Sequence, residues 1–250
     1  MAYDGTAYCG WQIQPNEKTV QQVMQHALTT MLRQEISVTG AGRTDTGVHA
    51  SHYMAHFDVE NPLLLSPEPD PAGEHFVFKL NRFLPPDVVV YKIFSVAPDM
   101  HARFSATYRT YHYHISTTKP LYNRNYAHHV HGRLDLDALD ECCAFLQETE
   151  DFTSFAKLHS DVKTNLCKIM CAAWKEVVQG YLFEIKADRF LRNMVRSLTG
   201  TLLDVGQGKL SVREFRDIVH AKDRSKAGQS APARGLFLVD IGYERLPGKH

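Results

Sequence analysis

The sequence predicts an α+β fold in two halves, each with mixed, mainly antiparallel strands and flanking helices. Three observations carry that expectation. Strand-like runs stand close enough in the chain to pair antiparallel, most plainly Lys168–Val178 and Tyr181–Ala187, separated only by Gln179-Gly180 as a tight hairpin. Helical runs are grouped among them without the strict alternation of strand and helix that builds a parallel sheet. A length of 250 residues with a 44% hydrophobic fraction suits one large domain or two of modest size. The expected boundary lies near Met100, giving halves 1–100 and 101–250.

In the first half, Ala2-Tyr3 is a strand stub before the turn signal Asp4-Gly5-Thr6. Trp11 reads as a core or edge aromatic. Thr19–Gln34 is the clearest helix: Val20, Val23, Met24, Ala27, Leu28, Met31 and Leu32 recur at helical spacing, and Thr19 with Gln22 makes a capping box. Ile36–Thr39 is a short strand. Tyr53, Ala55, Phe57 and Val59 alternate with polar neighbours, as in a half-buried strand. Asn61–Gly73 carries four prolines and reads as a loop; Glu74–Leu84 is a short helix stopped by Pro85-Pro86. Val88–Val96 is β-branched and aromatic, as a strand would be.

In the second half, Thr107–Ile115 is a strand with Tyr111 and Tyr113 on one face and Thr110, His112 and His114 on the other. Asp135–Gln147 is a helix with acids at its start, where they suit the dipole. Phe190–Val205 is another, and on it Arg189, Arg192 and Arg196 would line one face. Cations at a helix start oppose the dipole, so a purely solvated role suits them poorly. Ser211 and Glu214 form a capping box for Val212–His220. A basic loop, Ala221–Gly235, carries Lys222, Arg224, Lys226 and Arg234 before a closing strand, Leu236–Ile241.

Composition excludes several function classes. Lys plus Arg and Asp plus Glu are 28 each, so the formal net charge is zero and gives no support to nucleic-acid binding. If RNA is the partner, the basic groups must be segregated onto one face. The five cysteines include no C-x-x-C, which indicates free thiols in a reducing cytoplasm and neither a disulfide framework nor a zinc ribbon. No apolar run is long enough to span a bilayer, and no leader pattern stands at Met1. His128-His129-Val130-His131 invites a metal reading, but spacing supplies no third ligand, so no metal is expected.

The chemistry is concentrated in Gly40-Ala41-Gly42-Arg43-Thr44-Asp45-Thr46-Gly47-Val48-His49-Ala50. Three glycines let the backbone take positive φ and approach a partner closely. Asp45 is its natural centre, and Arg43 would favour its charged form. A lone D-x-G in a glycine-rich loop would be read as an Asx turn; this run is too long and too rich in functional groups for that alone.

G-R-T-D-T-G-V-H-A resembles the active-site loop of the TruA-type tRNA pseudouridine synthases, with Thr46 where they usually carry Ala. The resemblance continues in order: Y-D-G at Tyr3 and G-W-Q at Gly10, H-A-R-F-S-A at His101 followed by the strand with Tyr111, D-F-T-S-F at Asp151, F-x-x-x-M-V-R ending at Arg196, and G-L-x-L-V at Gly235. The family has further apolar residues ahead of Tyr3 and often a basic residue where Thr110 stands. The resemblance implies the pseudouridine synthase fold with a central cleft, and isomerisation of uridine at positions 38 to 40 of the anticodon arm by a cytoplasmic homodimer without metal or organic cofactor. Asp45 would be the catalytic carboxylate, Tyr111 the tyrosine stacked on uracil, and Arg196 the partner of the aspartate. Arg43, Thr44, His49, Arg103, Arg189 and Arg192 would bind the tRNA.

A hydrolytic glycosidase uses two carboxylates, one often to activate water; an isomerase must keep water out, which a single Asp flanked by arginines suits. Two rivals remain at this point. Asp45-Thr46-Gly47 matches the D-T-G of aspartic proteases, which in a homodimer would pair two carboxylates around one proton, although Arg43 would spoil that sharing. The other is a non-catalytic tRNA chaperone on the same fold.

Overall fold

The computed structural model describes residues 1–61, 73–157 and 164–244. The expected proline-rich loop at 61–73 lies almost wholly outside them. The chain divides into two compact units, one of Met1–Thr107 with the chain from Val239 onward, the other of Tyr108–Leu238.

In the first unit, β1 (Ala2–Tyr3) lies between β3 (His49–Ala50) and β5 (Val88–Val89), antiparallel to both. A separate two-stranded ribbon pairs β2 (Thr39–Gly40) with β4 (Ala55–His56). α1 (Val20–Leu32) begins at Thr19, whose hydroxyl accepts from the Gln22 amide; only this half of the expected capping box forms. α2 (Glu74–Phe83) ends before the two prolines and packs on α1. Three expected strands shrink to two residues each. At 88–96 the cause is visible: Asn81 donates to the Val90 carbonyl at 2.7 Å and accepts the Val90 amide at 2.8 Å, taking the bonds a longer ladder would have used.

In the second unit, β6 (Ala106–Ser116), β8 (Ile169–Val177) and β9 (Gly180–Ala187) form antiparallel ladders in the order β8-β9-β6, with β7 (His128–His129) parallel to β6. The hairpin turn is Val178-Gln179, one residue earlier than expected. Gln179 takes the positive φ, 67°, while Gly180 is needed in the strand because a Cβ there would lie 1.9 Å from the Ile115 carbonyl. α3 (Leu136–Glu148), capped by Asp135, packs on β8 and against α4 (Met194–Gly206) and α5 (Val212–Ala221). The Ser211–Glu214 capping box is formed in both directions. The closing strand β10 (Leu236–Tyr243) runs from the second unit into the first, where it lies beside β3.

The D-F-T-S-F segment is a structural clasp. Asp151 accepts from the Thr153 amide at 3.0 Å and hydroxyl at 2.6 Å. Phe152 and Phe155 are fully buried. The Ser154 hydroxyl donates to the Ile218 carbonyl at the end of α5 and accepts from Asp223. Lys222, in the left-handed position that ends α5, pairs with Asp151 at 2.8 Å. The cysteines are all free, three of them buried; burial raises the Cys142, Cys143 and Cys167 thiols to about 12, so they stay protonated.

Candidate active site

The Gly40–Ala50 segment is gripped at both ends by strand pairing, Gly40 with Ala55 and Ala50 with Tyr3. Between these grips its backbone is tied to what surrounds it. The Ala41 amide donates to Met54 at 2.9 Å, the Trp11 amide to the Thr44 carbonyl at 3.3 Å, and the Gly47 amide to Tyr8 at 3.2 Å. Beneath lies an aromatic floor. Trp11 stacks on Tyr53 at 4.2 Å, and Tyr3 meets Tyr53 edge-on at 5.4 Å. Both phenols reach up into the loop: Tyr53 donates to the Gly42 carbonyl, and Tyr3 shares a 2.9 Å bond with Thr44 Oγ1. Buried tyrosines need partners for their hydroxyls, and here the partners are the loop itself.

Asp45 heads a turn. Its carbonyl accepts from the Val48 amide at 3.1 Å, and Gly47 has φ 77°. Positive φ at the third residue alone is the type II pattern, in which glycine is required. Gly40 is required for another reason, since a Cβ there would fall 2.2 Å from the Tyr53 hydroxyl and 2.5 Å from Trp11. Gly10, with φ +80°, would bring a Cβ within 2.2 Å of the Thr44 carbonyl. Gly42 departs from expectation: it has no positive φ, and no atom of the described residues lies within 4 Å of where its Cβ would stand.

Asp45 itself is half-buried, Arg43 is exposed, and Thr44 and His49 are buried. His49 Nδ1 lies 3.0 Å from the Gly5 amide and 3.1 Å from Asp4 Oδ1. An amide can only donate, so Nδ1 is the acceptor and the ring carries its proton on Nε2. Asp4 Oδ1 instead accepts from the Thr6 amide at 2.9 Å and hydroxyl at 2.6 Å. His49 thus secures the loop to the Asp4-Gly5-Thr6 turn.

Arg103 belongs to the same unit, exposed on a turn whose Ala102 amide donates to His56 Nδ1 at 3.1 Å. His56 belongs to β4, the strand that holds Gly40.

In the second unit, Tyr111 is half-buried on β6, and Phe190 meets its ring edge-on at 5.2 Å. Tyr113 is fully buried and donates to the Pro232 carbonyl at 2.8 Å, in keeping with a packing role; burial pushes its phenol up, against the nearby Arg196 and Arg234. The helix expected from Phe190 begins instead at Met194, because Asn193 takes a left-handed φ of 63° and breaks the run before it. Arg189 and Arg192 therefore lie on the approach to α4 and do not share a helix face with Arg196. Arg196 alone occupies the first turn. Its Nε donates to the Ala231 carbonyl at 2.8 Å, and the Ala231 amide returns a bond to the Arg196 carbonyl at 2.9 Å. Further N–H donors of the guanidinium, on Nη1 and Nη2, suit a planar anion such as a carboxylate.

The bracing residues Tyr3, Gly10, Tyr53 and Phe190 went unassigned in the sequence. A signal existed for Tyr53: its alternation put a phenol on a buried face, and a buried hydroxyl demands a partner. His129 and His131 lie with rings 4.5 Å apart, but β7 contains only the first of them. Among the described residues no group of three or more His, Cys, Asp or Glu side chains is placed to hold a metal ion.

A family model described as tRNA pseudouridine synthase matches residues 1–105 and 146–244. The chain is 54% identical over 244 residues to the tRNA pseudouridine synthase A of Bacteroides fragilis, covering 97% of this chain and 94% of that protein. It is 47% identical over 246 residues to the protein of the same name from Porphyromonas gingivalis, covering 97% and 95%. With that of Bacillus subtilis it shares 38% over 249 residues, covering 98% and 97%.

Proposed function

This chain belongs to the tRNA pseudouridine synthase family, and from that premise we propose that it isomerises uridine to pseudouridine in tRNA, at positions 38 to 40 of the anticodon arm. The bond from ribose C1′ to N1 breaks and one from C1′ to C5 forms; N1 gains a proton and C5 loses one, so no oxidant or water is consumed. Asp45 is the catalytic carboxylate that manages cationic character at the anomeric carbon. Tyr111 stacks on the uracil and assists departure of the C5 proton. Arg196 is the partner that keeps the carboxylate oriented. Arg43, Thr44, His49, Arg103, Arg189 and Arg192 serve tRNA binding, with the buried Thr44 and His49 acting through the shape of the loop. The target must leave its stack to be reached, and Arg43, exposed two residues from Asp45, is the group suited to the vacated space.

The observation that carries this reading is the bracing of the Asp45 turn. A carboxylate that must meet one carbon atom of a flipped nucleotide has to be aimed before substrate arrives. Pairing at both loop ends and two phenols beneath supply that aim. The same reading takes the enzyme to be a cytoplasmic homodimer that needs neither metal nor organic cofactor. No helix among the described residues is long and apolar enough to cross a membrane. The protease and chaperone alternatives gain nothing from the relatives, whose names all state the synthase activity.

The test is Asp45→Asn, with gel-shift affinity beside single-turnover pseudouridine formation on one unmodified tRNA. The amide keeps the size and removes the charge. Affinity is expected to hold, because binding rests on phosphate contacts spread over a large surface. The rate is expected to fall by about a thousandfold or more, the scale of losing a key charge-stabilising group. Turnover within tenfold of the parent would remove Asp45 from the mechanism.

A further inference from the structure

In the first unit a phenylalanine that is 76% exposed stands on a turn with no slack in its backbone. Single exposed aromatics are ordinary; the way Phe104 is held is not. Every amide from His101 to Ser105 is bonded. His101 donates to Ser105 Oγ at 3.0 Å, Ala102 to His56 Nδ1 at 3.1 Å, and Ser105 back to the His101 carbonyl at 2.9 Å. The amides of Arg103 and Phe104 both donate to His101 Nδ1, at 3.1 and 3.2 Å. The Ala102 carbonyl accepts the Tyr243 hydroxyl at 2.5 Å. The His101 ring lies 4.4 Å from Phe104, and the Arg103 guanidinium 5.6 Å from its centroid. Both imidazoles accept through Nδ1, so both are in the neutral form with the proton on Nε2. Burial and the neighbouring His101 also hold His56 below its ordinary value.

We propose that Phe104 is a stacking platform for an unpaired base of the RNA substrate, with Arg103 beside it to take the adjoining phosphate. This rests on the tRNA reading above and adds one point of attachment to it. An exposed aromatic ring with a cation held over it is the chemistry that receives a splayed-out nucleobase; a base still stacked within a helix offers it no face. A turn already rigid loses little entropy on binding. The charge pattern selects a polyanion over a second copy of the chain. The Arg103 guanidinium lies over the Phe104 ring, and from Met100 to Thr107, within the first unit, the chain carries no Asp or Glu. A protein interface has no need of such exclusion, whereas phosphate neutralisation does.

The turn is also tied to the catalytic loop inside its own unit. His56 holds the Ala102 amide and sits in the strand that pairs with β2, where the loop begins. A base docked on Phe104 would be registered against the segment carrying Asp45.

The experiment uses Phe104→Ala and Phe104→Trp, with Phe78→Ala as control; Phe78 is also exposed, at 59%. Tm is recorded for each. Affinity for unmodified tRNA is expected to fall about 5- to 150-fold in Phe104→Ala, the range for losing one base–aromatic stack, and to stay within about twofold in Phe78→Ala. In Phe104→Trp affinity is retained, and the new indole's fluorescence is quenched by tRNA but not by a fully paired RNA duplex of equal length. Parent-like affinity in Phe104→Ala, or an unquenched indole, overturns the platform, as does a shift of Phe104→Ala to a smaller sedimenting species, which would assign the ring to a subunit interface. Should Phe104→Ala fold poorly, the quench alone decides. If the parent makes no pseudouridine yet the indole is quenched, the platform stands and the isomerase reading falls; if the parent turns over and the indole is silent, the reverse holds.

Discussion

Tyr53→Phe separates the aiming of the catalytic loop from the stability of its floor. The ring is fully buried, stacked on Trp11 at 4.2 Å and met by Tyr3 at 5.4 Å, and phenylalanine keeps all of that. What goes is the hydrogen bond from the phenol to the Gly42 carbonyl. Gly42 is half-buried with open space beside its Cα, so water can reach the abandoned carbonyl. The cost then lies at the low end for a broken bond, about 1 kcal/mol, or a fall in Tm of about 2–4 °C for a chain of this size. The effect on rate is larger in proportion. Without the phenol, the loop between the Ala41–Met54 and Thr44–Trp11 bonds keeps only its ends fixed. A displacement of about 1 Å in a reacting group costs on the order of a hundredfold, and a loop that samples the right position part of the time should lose about tenfold in the single-turnover rate. Affinity for tRNA should change less than twofold. The measurements are thermal denaturation, gel shift and release of tritium from tRNA labelled at uridine C5, which the isomerisation must expel. Parent values of both Tm and rate would show that the bond restrains nothing, and the argument from bracing would fail with it.

Two further outcomes follow from the same structure. tRNA affinity should fall with salt, and replacing the exposed Arg192, Lys226 and Arg234 together by Ala should flatten the slope of log affinity against log salt by roughly 0.7–0.9 for each phosphate no longer neutralised; an unchanged slope would take these residues out of the interface. Arg224 and Lys222 are left out of the set, since Arg224 already reaches Ser230 at 3.2 Å and Lys222 pairs with Asp151 at 2.8 Å. Burial alone would raise the Asp151 carboxyl, but the bonds from Lys222 and Thr153 outweigh it and hold it below the usual value. A depressed folded-state value gives stability that is present above the unfolded pKa, about 3.9, and lost as pH falls through the folded one. Asp151→Asn should therefore melt a few degrees below the parent at pH 7, about 1 kcal/mol, with the gap narrowing as pH falls below about 3.9; a gap that does not narrow on acidification would refute the ionic origin.

The sequence made the helices and the strands β6, β8, β9 and β10 legible, and the strand lengths of the first unit not. α1, α3 and α5 carry caps whose side chains bond as their residue types suggest, and they begin where the caps stand. α4 lacks such a signal. Its apolar spacing runs back through Leu191, which is buried whether or not it is helical, so periodicity could not reveal the break at Asn193. Alternation at 52–59 and β-branching at 88–96 found buried anchors but not whole faces: Tyr53, Val88 and Val90 are buried, while the residues after Val90 are half-buried or exposed. Burial does not require a ladder, however, and a distant side chain such as Asn81 can take the backbone bonds. The Asp45 loop was visible from its density of glycine and charge, but the reason for each glycine was not. Gly47 answers to a dihedral angle, Gly40 and Gly10 to neighbours far along the chain, and Gly42 to nothing among the described residues within 4 Å of its Cβ position.

The neutral net charge illustrates the same limit from another side. A sum over the chain is blind to where acids are placed, and the described acids are often already engaged. Glu184 lies 3.0 Å from His112 and 3.5 Å from Lys175, Asp204 is 3.4 Å from Lys209, and Asp151 is 2.8 Å from Lys222. Partly exposed pairs like these add about 1 kcal/mol at most, but each cancels a charge locally and so contributes little at longer range. What an approaching polyanion meets is the remainder, within a Debye length of about 8 Å at physiological salt. In the sequence, acids and cations are unevenly spread: Met100–Leu134 carries five Lys and Arg and no Asp or Glu. A chain can therefore sum to zero and still present a basic surface, and the salt slope reports that surface where the isoelectric point does not.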